Sequence, residues 1–156
     1  MLTRRVARPL LAAIFVSGGI DVLRNPGPRV QRAEPVTTKL AQALPLPEDT
    51  ETLVKANALT QIVAGTTLAL GKLPRLSAAV LAGSLVPTTA AGHRFWEEES
   101  PQSKAMQRTH FLKNLAILGG LIIAATDTEG APSLGWRARR AAKRAAQRAS
   151  DVLPVR

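Results

Sequence analysis

The sequence predicts an all-α protein, an integral membrane four-helix bundle whose N- and C-termini are both cytoplasmic and whose C-terminal tail forms a basic amphipathic helix. Four apolar runs of 15 to 18 residues are separated by charged connectors. Aromatic residues make up only 3% of the chain, so the apolar content is mainly Ala, Leu, Val and Ile, with Gly between them. Small residues of this kind suit close contacts between helices in lipid.

The four predicted membrane spans cover residues 9–23, 53–70, 76–91 and 109–126. Each is slightly shorter than the roughly 20 residues that cross the hydrocarbon core, and flanking Arg and Lys side chains can extend a short span by reaching the interface. A soluble bundle helix has a polar stripe with a period near 3.6, whereas Leu115 to Ala125 has neither a charged residue nor a polar face. We therefore predict a membrane domain over residues 1–130 and a basic cytoplasmic tail over residues 131–156.

Prolines mark the connectors between these spans. In residues 24–52 they are frequent enough to predict irregular chain, with one short amphipathic helix over residues 37–44. Pro87 predicts a kink or the end of the third helix, and residues 92–108 predict a polar connector. The Gly pairs at 18–19 and 119–120 predict close helix crossings.

The distribution of charge orients the predicted spans. With the N-terminus inside, the cytoplasmic segments carry 12 basic and 3 acidic residues, and the rest of the chain carries 9 basic and 8 acidic residues. A basic start followed by a short apolar run is also typical of a secretory signal peptide. No clear small-residue cleavage site follows the run, so we expect the first span to be retained.

The net charge of +10 raises the question of nucleic-acid binding. The apolar runs favour the other explanation, an excess of basic residues on the cytoplasmic side of a membrane, so no nucleic-acid partner is expected. Because Cys is absent, the chain offers neither a disulfide nor a catalytic thiol, and a redox role would require a bound cofactor or a partner subunit.

Polar residues within the spans fall at one predicted depth, near the outer surface. Polar groups in lipid usually face the bundle interior, so we expect an outer polar cluster that includes an ion pair between Asp21 and Lys113. Structural hydrogen bonding between helices is the first interpretation, and a site for a quinone headgroup, a lipid or a sulfur species is the second. The candidate ligand-binding residues are Asp21, Asn57, Gln61, His93, His110, Lys113 and Asn114.

No catalytic or metal site is predicted. His93 and His110 could in principle act as the two axial ligands of a haem, but no other residue supports a ligand set. Phe95 and Trp96 have a simple explanation as anchors at the membrane interface, with a docking surface as the alternative. In the tail, Trp136, Arg140 and Arg144 are candidate contacts for anionic lipid headgroups or an acidic partner.

Residues 93–121 read HRFWEEESPQSKAMQRTHFLKNLAILGGL. This segment resembles the third loop and fourth helix of the DoxX family, of the actinobacterial type, in which an H-x-F-W motif precedes an H-F-L-K-N-x-A-x-x-G-G-L stretch. The first helix, with Gly18-Gly19, Asp21 and Asn25-Pro26, is also similar to the start of that family. The resemblance covers most of residues 1–126 and implies a small four-helix protein of the bacterial plasma membrane.

The resemblance implies architecture more directly than chemistry, because relatives include subunits of quinone-linked and other membrane oxidoreductase complexes as well as membrane chaperones. We expect a membrane subunit that anchors or supports a larger assembly, such as a redox complex, and that is not itself an enzyme. Its expected partners are membrane lipids and other membrane or membrane-associated subunits. A quinone-linked subunit with its own outer pocket is the alternative, and a lipid or small-solute carrier is the third.

Overall fold

The computed structural model describes residues 2–43, 45, 47, 49–128, 130 and 134–152. Within these residues the chain is helical and contains no strand. The elements are α1 (Leu2–Arg24), α2 (Gly27–Ala43), α3 (Thr50–Ala69), α4 (Pro74–Gly92), a 3-10 turn at Phe95–Glu97, α5 (Pro101–Thr126) and α6 (Leu134–Val152). The contacts divide the chain into two units, Met1–Thr126 and Asp127–Arg156.

Within the first unit, α1 packs mainly on α3, α3 packs on α4, and α4 packs on α5. Apolar side chains from these four helices form one core in which Leu68, Leu81 and Leu121 are fully buried. A tight turn joins α3 to α4, and Gly71 and Leu73 adopt positive φ angles of 68° and 50° there. The apolar runs of the sequence therefore supply the helices that surround this core.

The approach of α1 to α3 depends on two glycines. A Cβ atom added at Gly19 would lie 2.8 Å from the carbonyl oxygen of Ala58 and 2.7 Å from a side-chain carbon of Ile62. A Cβ atom at Gly65 would lie 2.9 Å from the side chain of Val16. The close crossing predicted at residues 18–19 is thus made by Gly19, whereas a Cβ atom at Gly18 would meet nothing within 4 Å.

The close crossing predicted at residues 119–120 is wrong. A Cβ atom at Gly119 would meet nothing within 4 Å, and one at Gly120 would be in ordinary contact with Leu11, at 3.7 Å.

Two helices, α1 and α5, are long and apolar enough to cross a membrane. Only 17% and 11% of the residues in their most apolar windows are buried, which differs from the largely buried core helix of a soluble protein. Large apolar side chains are also exposed on α3 and α4, including Val63 at 62% and Val86 at 55%. Exposed apolar surfaces of this extent indicate contact with lipid or with another protein.

The expectation of irregular chain in residues 24–52 is wrong, because α2 occupies most of that segment. Pro28 lies in its first turn, where a missing N–H group leaves no helical hydrogen bond unmade. Ala33 and Thr37 are buried against the bundle, and α2 packs on both α3 and α4. This packing offsets the interior Pro35, and Leu44, the last residue of the predicted short helix, lies outside the described residues.

α4 agrees with the predicted third apolar run, residues 76–91, whereas the start of α5 differs from prediction. α4 does not end at Pro87 but continues to Gly92, and the hydroxyls of Thr88 and Thr89 donate to backbone carbonyls one turn earlier, at 2.8 and 2.7 Å. α5 begins at Pro101, so half of the predicted connector 92–108 is helical. The Ser100 hydroxyl accepts a hydrogen bond from the backbone N–H of Ser103 at 3.0 Å, which caps this earlier start.

Candidate functional site

The polar side chains of α3 and α4 bond to each other across the helix interface. The side-chain amide of Asn57 donates to the Thr88 hydroxyl at 3.2 Å. The Gln61 amide donates to the hydroxyls of Ser84 at 3.0 Å and Thr88 at 3.4 Å. Asn57 and Gln61 share one face of α3 because they are spaced i, i+4. The structure brings these two predicted residues into one network with α4.

A separate contact joins α4 to α5. The buried side-chain amide of Asn114 donates to the Thr89 hydroxyl at 3.0 Å. No buried side-chain nitrogen or oxygen lacks a hydrogen-bond partner among the described residues. The predicted interior polar groups are therefore satisfied by their neighbours, as expected of polar groups in a low-dielectric bundle.

The predicted ion pair between Asp21 and Lys113 is wrong. Asp21, at the end of α1, forms its ion pair with Arg29 in the first turns of α2. Lys113 lies on α5, where its amino group is 3.3 Å from Nδ1 of His110. The expectation failed because it omitted α2, which places a cation only eight residues after Asp21.

The two histidines meet at the α4–α5 end of the bundle. Their rings stack with centroids 5.2 Å apart and planes inclined by 23°. Nδ1 of His93 is 2.8 Å from the side-chain oxygen of the buried Gln107. Direct stacking leaves no space for a macrocycle between the rings, so this arrangement does not fit a haem held by His93 and His110. Gln107 was missed from the sequence because it lay in the predicted connector.

The described residues contain no group of three or more His, Cys, Asp or Glu side chains positioned to hold a metal ion.

An aromatic cluster lies beside the histidines. Phe95 and Trp96, in the 3-10 turn, are in edge contact with each other at 5.1 Å and with Phe111 of α5 at 5.4 and 6.1 Å. Trp96 is 53% exposed. The cluster thus combines a fixed aromatic packing with a large exposed ring, a combination suited to a membrane interface or a docking surface.

In the tail, α6 carries the other three interface candidates. The Arg140 guanidinium lies 4.8 Å from the centroid of the Trp136 ring, in a cation–π contact. Arg144 follows one turn later and is exposed. These residues share one helix in the second unit.

A cavity with a volume of about 590 Å³ lies between α2, α3 and α4. This volume is in the range of small-molecule sites, roughly 300–1,000 Å³. Three of the predicted residues, Asn57, Gln61 and His93, line it, whereas Asp21, His110, Lys113 and Asn114 do not. The predicted outer polar cluster is therefore divided into several contacts, and the cavity was missed because its roof, α2, was not expected.

Among the described residues outside the apolar helices, Asp49 has a shifted pKa. Hydrogen bonds from the Thr52 side chain and backbone, with a smaller one from the backbone of Glu51, hold the pKa of Asp49 below its ordinary value of 3.8. Asp49 caps the N-terminus of α3, and its carboxylate accepts from the Thr52 backbone N–H at 2.8 Å. The α3 end that lines the cavity is therefore fixed by an ionised cap.

A comparison with protein-family models matches the DoxX family over residues 4–94, which is more than half of the chain. The match covers α1 to α4, and the H-F-L-K-N segment of α5 lies beyond it. No curated protein and no solved structure matches the chain.

Proposed function

The chain belongs to the DoxX family, and from that membership we propose that it is a multi-pass subunit that supports a larger membrane assembly. The family membership and the apolar helices together indicate a membrane protein. The proposal goes further and assigns four spans (α1, α3, α4 and α5), two cytoplasmic termini and a bacterial plasma membrane. It is supported by the exposed apolar side chains on all four helices and by the excess of basic residues in the proposed cytoplasmic segments.

The supporting role is inferred from the hydrogen bonds that the interior polar residues form. Asn57, Gln61 and Asn114 each hydrogen-bond to a hydroxyl group on a neighbouring helix. Side chains engaged in this way hold a bundle together and need no substrate to be satisfied. The exposed Trp96 then offers a surface on which another subunit can dock. We assign the assembly to the redox class on the family resemblance alone.

The test is an affinity purification of the full chain in a mild detergent, with a visible-light spectrum of the product. The proposal expects partners in fixed stoichiometry and expects Trp96→Ala to release them, because an exposed aromatic residue at an interface is a typical hot spot. Met106→Ala, which truncates another exposed apolar side chain (55% exposed) on α5, is the matched control and should retain the partners. A chain that purifies alone from the native membrane would contradict the supporting role.

A second candidate is favoured by the cavity. A quinone-linked subunit would bind its quinone headgroup near Asn57 and Gln61, whose amides line the wall. Quinone-dependent turnover that is lost in Asn57→Ala and kept in Thr60→Ala, a polar change on the same helix outside the cavity, would select this function. A lipid or small-solute carrier is the third proposal, and it would need oligomerisation to complete a pathway.

A further inference from the structure

The cavity has a rigid frame around an apolar interior. Its roof, α2, is bonded to α3 through the hydroxyls of Thr37 and Thr50, 2.8 Å apart. α2 is also bonded to the turn after α4, because the Arg94 guanidinium donates to the backbone carbonyl of Arg32 at 3.4 Å. These contacts fix the roof on both sides, so the space below it is a preformed cavity.

The charged residues that line the cavity are all basic. Two arginines, Arg29 and Arg32, line the cavity from α2, and no carboxylate is among the lining residues. Arg29 is already paired with Asp21, which lies outside the wall. Arg32 is exposed, and within the described part of the chain its guanidinium forms no hydrogen bond or ion pair. Arg32 is thus the cation available to an occupant, and that occupant should carry a negative charge.

The rest of the wall is suited to a hydrocarbon chain. Aliphatic side chains from two helices line the space, namely Val36 and Leu40 of α2 and Leu53 and Val54 of α3. A ligand that satisfies both regions needs an anionic head and an apolar body. A free inorganic anion would leave the apolar wall uncovered, and a neutral quinone would form no ion pair with Arg32.

We propose that this cavity binds one anionic membrane phospholipid, with its phosphate at Arg32 and part of an acyl chain between α2 and α3. The site is separate from the proposed docking surface at Trp96, because Trp96 does not line the cavity. It requires that the chain lies in a membrane, and it does not require the larger assembly. Its failure is therefore distinguishable from failure of the supporting role, because lipid binding is measured on the isolated chain and the supporting role on the native complex.

The experiment uses native mass spectrometry of the full chain, purified and stripped of lipid in a neutral detergent. The chain is titrated with phosphatidylglycerol or with phosphatidylcholine of identical acyl composition. We expect one tightly bound phosphatidylglycerol per chain and about a tenfold preference over phosphatidylcholine, because both lipids offer a phosphate to Arg32 but only phosphatidylcholine brings a choline cation close to Arg29 and Arg32. Glycerol phosphate, which carries a glycerol and a phosphate but no acyl chain, should fail to displace it.

Arg32→Gln should remove the preference, and Arg108→Gln should keep it. Arg108 is the matched control because it is an exposed arginine on α5 that does not line the cavity. Ala91→Leu, which fills part of the cavity from α4, should weaken phosphatidylglycerol binding without removing the cation, and its folding is checked by circular dichroism.

Three results of the lipid titrations would overturn the proposal. They are equal binding of the two phospholipids, equal losses in Arg32→Gln and Arg108→Gln, and displacement of the lipid by glycerol phosphate alone. Retention of a quinone that Arg32→Gln does not affect would also overturn it and would select the quinone-linked function instead.

Discussion

Replacement of Gly19 by Ala tests whether the bundle depends on the close crossing of α1 and α3. The added methyl group would lie 2.8 Å from the backbone oxygen of Ala58, which cannot move without displacing α3. The nearby Ile62 side chain can adopt another rotamer, so the backbone contact decides the outcome. Overpacking of this kind typically destabilises a protein by about 1–3 kcal/mol.

Gly18→Ala is the matched control, because it makes the same change one residue earlier in the same helix. The new Cβ atom meets nothing within 4 Å there. Both variants gain about 1 kcal/mol from the higher helix propensity of Ala, so the difference between them isolates the steric term. We expect Gly19→Ala to be less stable than Gly18→Ala by about 1–3 kcal/mol.

The assay is equilibrium unfolding of the full chain in mixed micelles, with the mole fraction of sodium dodecyl sulfate as the variable and helicity as the signal. Equal unfolding free energies for the two variants would show that α1 and α3 do not approach as described. A stabilised Gly19→Ala would refute the steric reasoning entirely.

Three further predictions concern other contacts. A double-mutant cycle on Asn114→Ala and Thr89→Ala should give a coupling energy of about 0.6 kcal/mol, the average for hydrogen bonds between membrane helices. The cycle is measured by the same unfolding assay, and a coupling energy near zero would contradict the Asn114–Thr89 hydrogen bond. Because the pKa of Asp49 is lower in the folded chain than in the unfolded chain, the carboxylate's contribution to stability should be complete above pH 3.8 and should be lost as the pH falls through the folded-state pKa. Asp49→Asn, which keeps an N-cap but cannot ionise, should lack this acid-dependent loss of helicity, and a variant that titrates like the wild type would assign the loss to other carboxyl groups. Arg140→Gln should weaken binding of the tail to anionic vesicles by about 1 kcal/mol. Binding is measured by quenching of Trp136 fluorescence in a chain that lacks the other tryptophan. The same loss of binding on neutral vesicles would argue against contact with anionic headgroups.

Four spans were predicted, but only α1 and α5 among the described helices are both long and apolar enough to cross a membrane on their own. This difference has a physical explanation. α3 and α4 carry Asn57, Gln61, Ser84 and Thr88, which lower their mean hydropathy. These side chains hydrogen-bond to each other across the interface. The polar residues that make α3 and α4 less apolar therefore face inward, and their exposed residues include Leu59, Val63, Leu76 and Val86.

By itself, the sequence determined the helical class, the family and the positions of the four apolar helices. The helical class and the helix positions follow from properties of single segments, namely continuous apolar runs and charged connectors. The family was predicted from sequence motifs, and the family-model match shows it. The i, i+4 spacing in the sequence also placed Asn57 and Gln61 on one face, and the structure confirms that both bond to α4.

The tertiary structure alone decided which partners those residues have and where a cavity lies. The partner of Asp21 and the cavity above Asn57 both depend on α2, whose prolines disfavour a helix when they are considered without neighbours. α2 is stabilised by packing on α3 and α4, an energy that exists only after the bundle has assembled. The sequence therefore specified the helices, and the contacts between them created the candidate site.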